Sequence, residues 1–233
     1  TCALPIYPED LEPLIGGKTK LVYLNFPSNP TGGVASKEQL EGLAKVFLDK
    51  APANARIYSD EIYEELVYPE IDPAASAFSP GSLPALADRT VTLNGLSKSM
   101  AMTGWRIGWV VAPARLEETW AVMSECFNTG ASAFVQVGAA TALTEGEPFV
   151  AKLTEQYRIG RDIVMEMLSQ HPRIEILRPE GAFYAFPRLR DVESTEDFVI
   201  GVLEEKDVGL APGYTFGPGS EDRKSTRLNS SHQ

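Results

Sequence analysis

Histidines, cysteines and long apolar runs are scarce in this 233-residue sequence. It has two histidines: His171 stands in a Gln-His-Pro turn, and His232 is the penultimate residue. Ser-His-Asp triads, Cys-His pairs and multi-histidine metal centres therefore have almost no material here, and no metal site is expected. If the protein is an enzyme, proton transfer falls to a lysine, a tyrosine or a carboxylate, with help from a cofactor.

Positive charge is also in short supply. The chain has 21 Lys and Arg against 32 Asp and Glu, for a net charge of -11. This balance argues against binding to nucleic acid or to an anionic membrane surface, because both call for a basic patch. No apolar run reaches the roughly 18 residues that indicate a membrane-spanning helix, so no membrane association is expected.

The two cysteines, Cys2 and Cys126, fit neither a disulfide framework nor a metal-binding pattern. A reducing, cytoplasmic compartment is therefore expected. Cys126 falls in a predicted helix, where a free cysteine is typically a small buried side chain. The chain begins with Thr1 and is interpreted as a fragment, so any organellar targeting is left open.

The first part of the chain alternates short apolar segments with helical patterns. Strands are predicted at residues 20–26, 56–59, 90–93 and 107–112. Ser36 and Gln39 form a capping-box pattern that begins a helix. Pro113 opens a second, amphipathic helix that carries Cys126. Helices that separate short apolar strands indicate an α/β fold with a parallel-rich sheet.

The pattern changes after Glu147. A long helix is predicted at 149–168 and a second at 195–206, with Ser194 as its N-cap. Short strands are predicted around them, at 174–177, 182–186 and 208–212. We therefore expect residues 1–147 to be part of a larger domain and 148–221 to be an incomplete small α+β domain.

The last twelve residues, 222–233, read DRKSTRLNSSHQ and contain a single aliphatic side chain. They resemble the in-frame translation of a sequencing adapter. We therefore expect a non-native, disordered tail and exclude it from fold reasoning.

Three segments could carry chemistry. They are NPTG at 29–32, SDEIY at 59–63, and Ser97-Lys98 followed eight residues later by Arg106. Taken singly, each has a structural explanation: a turn, a helix cap, or a solvated lysine. Taken together, all three stand at or just beyond the end of a predicted strand, where α/β proteins bind ligands.

The functional groups in these segments match the requirements of a pyridoxal phosphate site. The cofactor's aldehyde needs a lysine amine for a Schiff base. Its ring nitrogen must stay protonated, which a nearby carboxylate favours. Its 3′-oxygen is an anion that amide and phenol groups can bind, and its phosphate suits an arginine fork.

Five motifs carry a resemblance to a known family. They are NPTGG (29–33), SDEIYEELVY (59–68), NGLSKSMAMTGWRIGW (94–109), GAFYAFP (181–187) and PGYTFG (212–217). With these motifs the chain resembles the class I/II aminotransferases of fold type I, the aspartate-aminotransferase-like group, from about residue 22 to 221. The resemblance implies a pyridoxal-phosphate-dependent enzyme that moves an amino group between an amino acid and a 2-oxo acid, as a homodimer.

The resemblance also implies residue roles. Lys98 would be the catalytic residue, bound covalently to the cofactor and moving the substrate proton. Asp60 would pair with the ring nitrogen, and Tyr63 and Asn29 with the 3′-oxygen. Arg106 would hold the phosphate, with Ser97 as a further contact. In relatives the GAFY segment lies at the edge of the substrate pocket. The sequence pattern alone indicates that Phe183 and Tyr184 are packing residues in the sheet core or facing the dimer partner.

The chain departs from the family pattern in three places. Gly95 stands where many members have a phosphate-binding serine. The family places a carboxylate-binding arginine shortly after the PGxxFG segment, but here the adapter-like tail follows Glu221, and neither Arg223 nor Arg227 is assigned that role. The family's N-terminal part, which completes the site, has no counterpart in the sequence. The chain by itself is therefore expected to be inactive.

Three other functions are alternatives to amino-group transfer. A C–S lyase or a related elimination enzyme of the same fold would use the same cofactor residues. A nucleotide-binding α/β protein is disfavoured, because no GxGxxG follows a predicted strand and no GxxxxGK[ST] is present. A catalytically inactive remnant of the fold is the third alternative, against which Lys98, Asp60, Tyr63 and Arg106 argue.

Overall fold

A computed structural model of the chain describes residues 7–71, 78–192 and 194–217, together with the backbone of 224–227. The predictions that concern Cys2, Glu221, Arg223 and His232 fall outside these residues.

The described elements follow one another as short strands and longer helices. The helices are α1 Pro8–Leu11, α2 Lys37–Lys50, α3 Glu117–Asn128, α4 Ala133–Glu145, α5 Glu147–Leu168 and α6 Thr195–Lys206. The strands are β1 Leu21–Asn25, β2 Arg56–Asp60, β3 Thr90–Gly95, β4 Gly108–Val111, β5 Ile174–Glu175, β6 Tyr184–Ala185, β7 Arg188–Leu189, β8 Ala211–Pro212 and β9 Lys224–Arg227.

The main sheet has the strand order β1-β2-β3-β4. The first three strands are parallel and in register, with Asn25 opposite Asp60 and Asp60 opposite Leu93. The last strand runs antiparallel to β3 and places Gly108 opposite Gly95. This arrangement confirms the predicted parallel-rich α/β fold, and it brings the carboxyl ends of three strands to one edge.

Helix α2 begins where the capping box predicts. The Ser36 hydroxyl accepts a hydrogen bond from the Gln39 amide at 3.2 Å, and the Gln39 side chain accepts one from the Ser36 amide at 2.8 Å. One face of the helix then buries Leu40, Leu43 and Phe47 in the main core beside the sheet. This packing anchors one face of the sheet.

Helices α3 and α4 lie largely open. No residue of α3 is buried, and Phe127 and Phe134 expose 78% and 75% of their surface. Cys126 is exposed as well, so the prediction that it is buried is wrong. The reason is tertiary: among the described residues, no element packs over the face that carries it.

The second half contains the predicted long helix, which begins at Glu147 with Pro148 in its first turn. The predicted strands shrink to two residues each at β5, β6 and β8, and β7 was not predicted. The predicted order of two strands, a helix and a strand is present with β7 added, but these strands do not form one sheet, since β5 pairs with β7 while β9 joins β6 and β8. Which segments pair depends on contacts between distant parts of the chain, and no local pattern encodes them.

Strand β9 lies within the segment that the sequence analysis set aside. Its backbone pairs with β6, with Tyr184 opposite Arg227, and with β8. The structure thus differs from the expectation of a disordered tail at these four residues. Ladder hydrogen bonds use only backbone groups, so almost any non-proline sequence can supply them.

The domain boundaries themselves stay a prediction. Among the described helices, none has the length and apolarity needed to cross a membrane.

Candidate active site

The predicted site residues gather at the carboxyl edge of the main sheet. Asp60 is the last residue of β2, Asn29 follows the end of β1 by four residues, and Lys98 follows the end of β3 by three. Because these strands are parallel and adjacent, their ends meet at the same edge. The fold therefore brings together three segments that are far apart in the sequence.

Asp60 is held by groups from β1 as well as by its own turn. The Tyr23 hydroxyl donates a hydrogen bond to Asp60 Oδ2 at 2.6 Å, and the Ile62 amide lies 3.4 Å from Oδ1. The Asn25 side-chain amide donates to the Asp60 carbonyl oxygen at 3.1 Å. These contacts fix the direction in which the carboxylate points.

Tyr23 was missed by the sequence analysis. Its ring stacks on Tyr58 with centroids 6.0 Å apart. Partial burial, followed by the hydrogen bond to Asp60 and its charge, raises the pKa of the Tyr23 phenol above its usual value. The phenol therefore stays protonated and can donate to the carboxylate. Only the register of β1 against β2 would have pointed to this contact.

Asn25, also missed, links the two segments on either side of it. Its side-chain nitrogen donates to the Asp60 carbonyl oxygen, and its side-chain oxygen accepts a hydrogen bond from the Asn29 backbone amide at 2.8 Å. The turn that carries Asn29 is thereby tied to the carboxylate's strand. The structure places Asn29 at the site edge with its side chain exposed.

Lys98 and Tyr63 come together across the ends of neighbouring strands. Lys98 is half-buried, and its amine lies 6.0 Å from the centroid of the Tyr63 ring. Tyr63 is 3% exposed, and its hydroxyl oxygen is 2.6 Å from that of Tyr184. Tyr63 follows Asp60 by three residues, so the turn after β2 carries both the carboxylate and the phenol.

Ser97 and Arg106 line one cavity of about 570 Å³ next to this cluster. Arg106 has a left-handed backbone with φ of 52° at the end of a short helical turn, and its guanidinium donates to the Thr103 carbonyl at 2.9 Å. The volume lies in the range of ligand pockets, roughly 300–1,000 Å³. A hydroxyl and an exposed guanidinium on one wall suit an anion such as phosphate.

Gly95, the departure from the family pattern, has a steric explanation. A Cβ atom there would lie 2.9 Å from Gly108 Cα and 3.0 Å from the Ile107 carbonyl oxygen. The close approach of β3 and β4 thus leaves no room for a side chain, and the serine of other members could not fit this backbone without a shift.

The GAFY segment closes the site from the second half of the chain. Gly32, whose φ is +68°, offers its carbonyl to the Glu180 and Gly181 amides, each at 2.9 Å. The Ala182 amide donates to the Leu66 carbonyl at 2.7 Å. A Cβ on Gly181 would lie 2.8 Å from that same carbonyl oxygen, so the segment packs tightly against the turn after β2.

This donor set fits pyridoxal phosphate. The ends of the parallel strands carry an amine beside a buried phenol and an oriented carboxylate, and Ser97 and Arg106 line a cavity at the same edge of the sheet. Among the described residues, no group of three or more potential metal ligands comes together.

Comparison with known proteins agrees with this chemistry. The family described as aminotransferase class I and II matches residues 6–232. The chain belongs to this family. Arginine–pyruvate transaminase of Pseudomonas aeruginosa is 37% identical over 211 residues, which are 90% of this chain and 52% of that protein. Aspartate aminotransferase of Geobacillus stearothermophilus is 35% identical over 91% of this chain and 54% of its own length.

A solved structure extends the agreement to the fold of this aminotransferase-family chain. The aromatic aminotransferase of Pyrococcus horikoshii superposes with a TM-score of 0.86 at 32% identity, over 96% of this chain and 58% of that one. Class I and II aminotransferases are pyridoxal-phosphate-dependent, so the predicted family, fold and cofactor are confirmed. The chain spans about half the length of the curated relatives it matches.

Proposed function

We propose that the protein carrying this chain is a pyridoxal-phosphate-dependent aminotransferase that moves an amino group between an amino acid and a 2-oxo acid. The observation that carries the proposal is that Lys98 lies beside Tyr63 at the sheet edge where β2 ends in Asp60, with Ser97 and Arg106 lining a cavity at that edge. The names of two relatives, an arginine–pyruvate transaminase and an aspartate aminotransferase, support it.

When bound, the cofactor supplies an electron sink for the substrate's α-carbon. Lys98 would hold the cofactor covalently and would move the proton at the α-carbon, a role that its half-buried position beside the Tyr63 ring supports. Asp60 keeps the ring nitrogen protonated through its negative charge. Tyr23 and Asn25 contribute by holding the Asp60 carboxylate and backbone in one orientation.

The remaining predicted residues bind rather than react. Tyr63 and Asn29 donate hydrogen bonds to the cofactor's anionic 3′-oxygen. Arg106 and Ser97 hold the phosphate in the cavity they share. The exposed position of the Arg106 guanidinium is consistent with this role, since its outer nitrogens can reach a ligand.

We further infer a homodimer in a cytoplasmic location. The family resemblance implies the dimer, and the scarcity of cysteine favours a reducing compartment. The exposed aromatic side chains of Phe127 and Phe134 support an assembly in which α3 and α4 are covered.

Replacing the amine tests the cofactor's attachment point. The protein carrying this chain, incubated with pyridoxal phosphate and borohydride, is expected to trap one cofactor covalently at Lys98, as measured by peptide mass spectrometry. Lys98→Ala should abolish the adduct, because no other amine stands beside Tyr63 among the described residues. Lys152→Ala, at an exposed position of α5, is the matched control and should trap the cofactor normally. An unchanged adduct in Lys98→Ala would remove this residue from its role.

Neutralising the carboxylate tests the ring-nitrogen contact. Asp60→Asn should lower kcat by about 10²–10³-fold, the typical loss when one preorganised electrostatic contact is removed. Cofactor retention should change far less, because the other contacts persist. Turnover is followed with an amino acid donor and a 2-oxo acid acceptor. Unaltered turnover in the variant would contradict the role, and ammonia release without an acceptor would indicate an elimination enzyme instead.

A further inference from the structure

Tyr63 and Tyr184 form a buried pair of phenols. They are 3% and 8% exposed, their rings meet edge to face with centroids 5.7 Å apart, and their hydroxyl oxygens are 2.6 Å apart. Phe183 packs against both rings, at 5.6 Å from Tyr63 and 4.7 Å from Tyr184. Apolar packing alone would be equally well served by phenylalanine, so the two hydroxyls call for an explanation.

The backbone of the segment that leads to Tyr184 is anchored at several points. The Tyr68 hydroxyl donates to the Ala182 carbonyl at 2.9 Å, and the Tyr68 amide donates to the Glu180 carbonyl at 3.0 Å. Arg161 donates to the Pro179 carbonyl at 3.2 Å, and its guanidinium covers the Tyr68 ring. The segment that delivers Tyr184 is therefore held at several points independent of Tyr63.

We propose that Tyr184 is a positioning residue that donates its hydroxyl proton to the Tyr63 oxygen. A phenol has one proton and can also accept a hydrogen bond. If Tyr63 accepts from Tyr184, the hydrogen bond of the pair uses the Tyr184 proton, and Tyr63 can donate its own proton to an anionic oxygen in the site. An accepted bond also polarises the phenol and makes it a stronger donor. The inference deepens the proposed function, in which that anion is the cofactor's 3′-oxygen.

The experiment measures Tyr63 itself in the cofactor-free protein that carries this chain. Tyrosines are labelled with ¹³C at the ring carbon bearing oxygen, and the Tyr63 resonance is assigned with Tyr63→Phe. Tyr184→Phe should raise the pKa of the Tyr63 phenol by about 1 or more, because the phenolate loses a donated hydrogen bond. An unchanged titration would overturn the proposal.

Tyr68→Phe is the matched control. It also removes a buried phenol hydroxyl, but one that donates to the Ala182 carbonyl instead of to Tyr63. It should leave the Tyr63 titration in place, because the backbone hydrogen bonds of Glu180 and Ala182 and the contact from Arg161 to Pro179 still anchor the segment that carries Tyr184. An equal shift in both variants would mean that general loosening, rather than the Tyr184 hydroxyl, sets the Tyr63 titration, and this would refute the proposal too.

A second readout uses the cofactor-loaded protein. A weaker Tyr63 donor stabilises the charged 3′-oxygen less, so the pH midpoint of the cofactor's visible band should rise in Tyr184→Phe, and rise further in Tyr63→Phe.

The two experiments separate failure of the proposed function from failure of this inference. If borohydride traps no cofactor in the unmodified protein, the proposed function fails, while the tyrosine titration still tests this inference. If the adduct forms and Tyr63 titrates identically in both proteins, the inference alone fails.

Discussion

Asp60 depends for its orientation on side chains of the neighbouring strand. Tyr23 binds the carboxylate, and Asn25 binds the carbonyl of the same residue while its other end holds the Asn29 turn. A hydrogen bond to a charged group contributes about 1.5–3 kcal/mol when buried, and the exposure of Tyr23 places this one at the lower end. Orienting the acid is thus a task shared by two strands.

Glu64 is the residue whose ionisation conflicts most clearly with its surroundings. Burial raises the pKa of its carboxyl to about 6, the charges of Glu61 and Glu65 add to the rise, and the hydrogen bond from Asn94 opposes it. The folded state therefore binds this proton more tightly than the unfolded state does. The contribution of this bound proton to the stability of the folded state is fully present below the unfolded pKa of 4.5. It is lost as the pH rises through the folded pKa of about 6.

Glu64→Gln should therefore raise the free energy of unfolding at neutral pH by about 1 kcal/mol, a value already reduced for the partial exposure of the side chain. The gain should disappear below pH 4.5. Urea denaturation at both pH values measures it. Glu117→Gln, exposed at the start of α3, is the control and should show no such gain. A gain that persists unchanged in acid would contradict the assignment.

At the scale of elements, α5 is joined to the rest of the structure by a buried cation. Arg161 is fully buried, pairs with Asp162 at 2.8 Å and with Glu70, and donates to the Pro179 carbonyl. Its guanidinium also lies 4.2 Å from the centroid of the Tyr68 ring. One helix side chain therefore connects the turn after β2 with the segment that leads into β6.

Arg161→Ala should cost about 2–3 kcal/mol of unfolding free energy, because it leaves the Pro179 carbonyl without its donor and removes the cation from the Tyr68 ring. The carboxylates add little to this loss, since Asp162 keeps its pairs with Arg158 and Arg178. Lys37→Ala provides the comparison. It breaks an exposed pair with Glu41 at 3.9 Å and should cost less than about 1 kcal/mol. Chemical denaturation of both variants gives the two values. Equal losses of unfolding free energy in the two variants would show that the buried position of Arg161 does not make its contacts more stabilising than those of the exposed Lys37.

The elements differ in how far local sequence specifies them. Helix α2 was predicted because its capping box and apolar spacing agree, and both act within a few residues. The two-residue strands β5, β6 and β8 were predicted too long, and β7 was not predicted. Such strands exist only where a partner supplies hydrogen bonds, and their partners lie elsewhere in the chain.

At the scale of the whole molecule, α3 and α4 expose several large apolar side chains. Phe127, Phe134 and Val137 expose 78%, 75% and 68% of their surface, and Val122 and Leu143 more than half of theirs. Large exposed apolar surfaces favour association. In the chain by itself, these side chains are open to contact with a second copy.

The 233-residue chain by itself should accordingly self-associate and bind a hydrophobic dye, as measured by light scattering and dye fluorescence. The double variant Phe127→Ser/Phe134→Ser should reduce both signals. Leu14→Ser, at a residue that is 74% exposed in the short turn after α1, should not. A monomeric chain without dye binding would contradict this prediction.

The sequence by itself determined the local structure and the chemical groups. Strand cores, capping boxes and turn residues act over a few positions, so the main elements could be identified from it. The six site residues were predicted from the motifs and from the family resemblance that these motifs carry. Their common location followed from the general rule that parallel strands end at one edge. The residue roles stay predictions until the variants are measured.

Only the tertiary structure decided which side chains touch across the chain. Tyr23 and Asp60 are 37 positions apart, and Tyr63 and Tyr184 are 121 apart. Strand register and the docking of the 179–184 segment fix these contacts, and a shift of one residue would turn each side chain to the other face. The exposure of a side chain also depends on the tertiary structure. Cys126 is exposed because no described element packs against its face of α3, and the sequence of the helix itself does not indicate this.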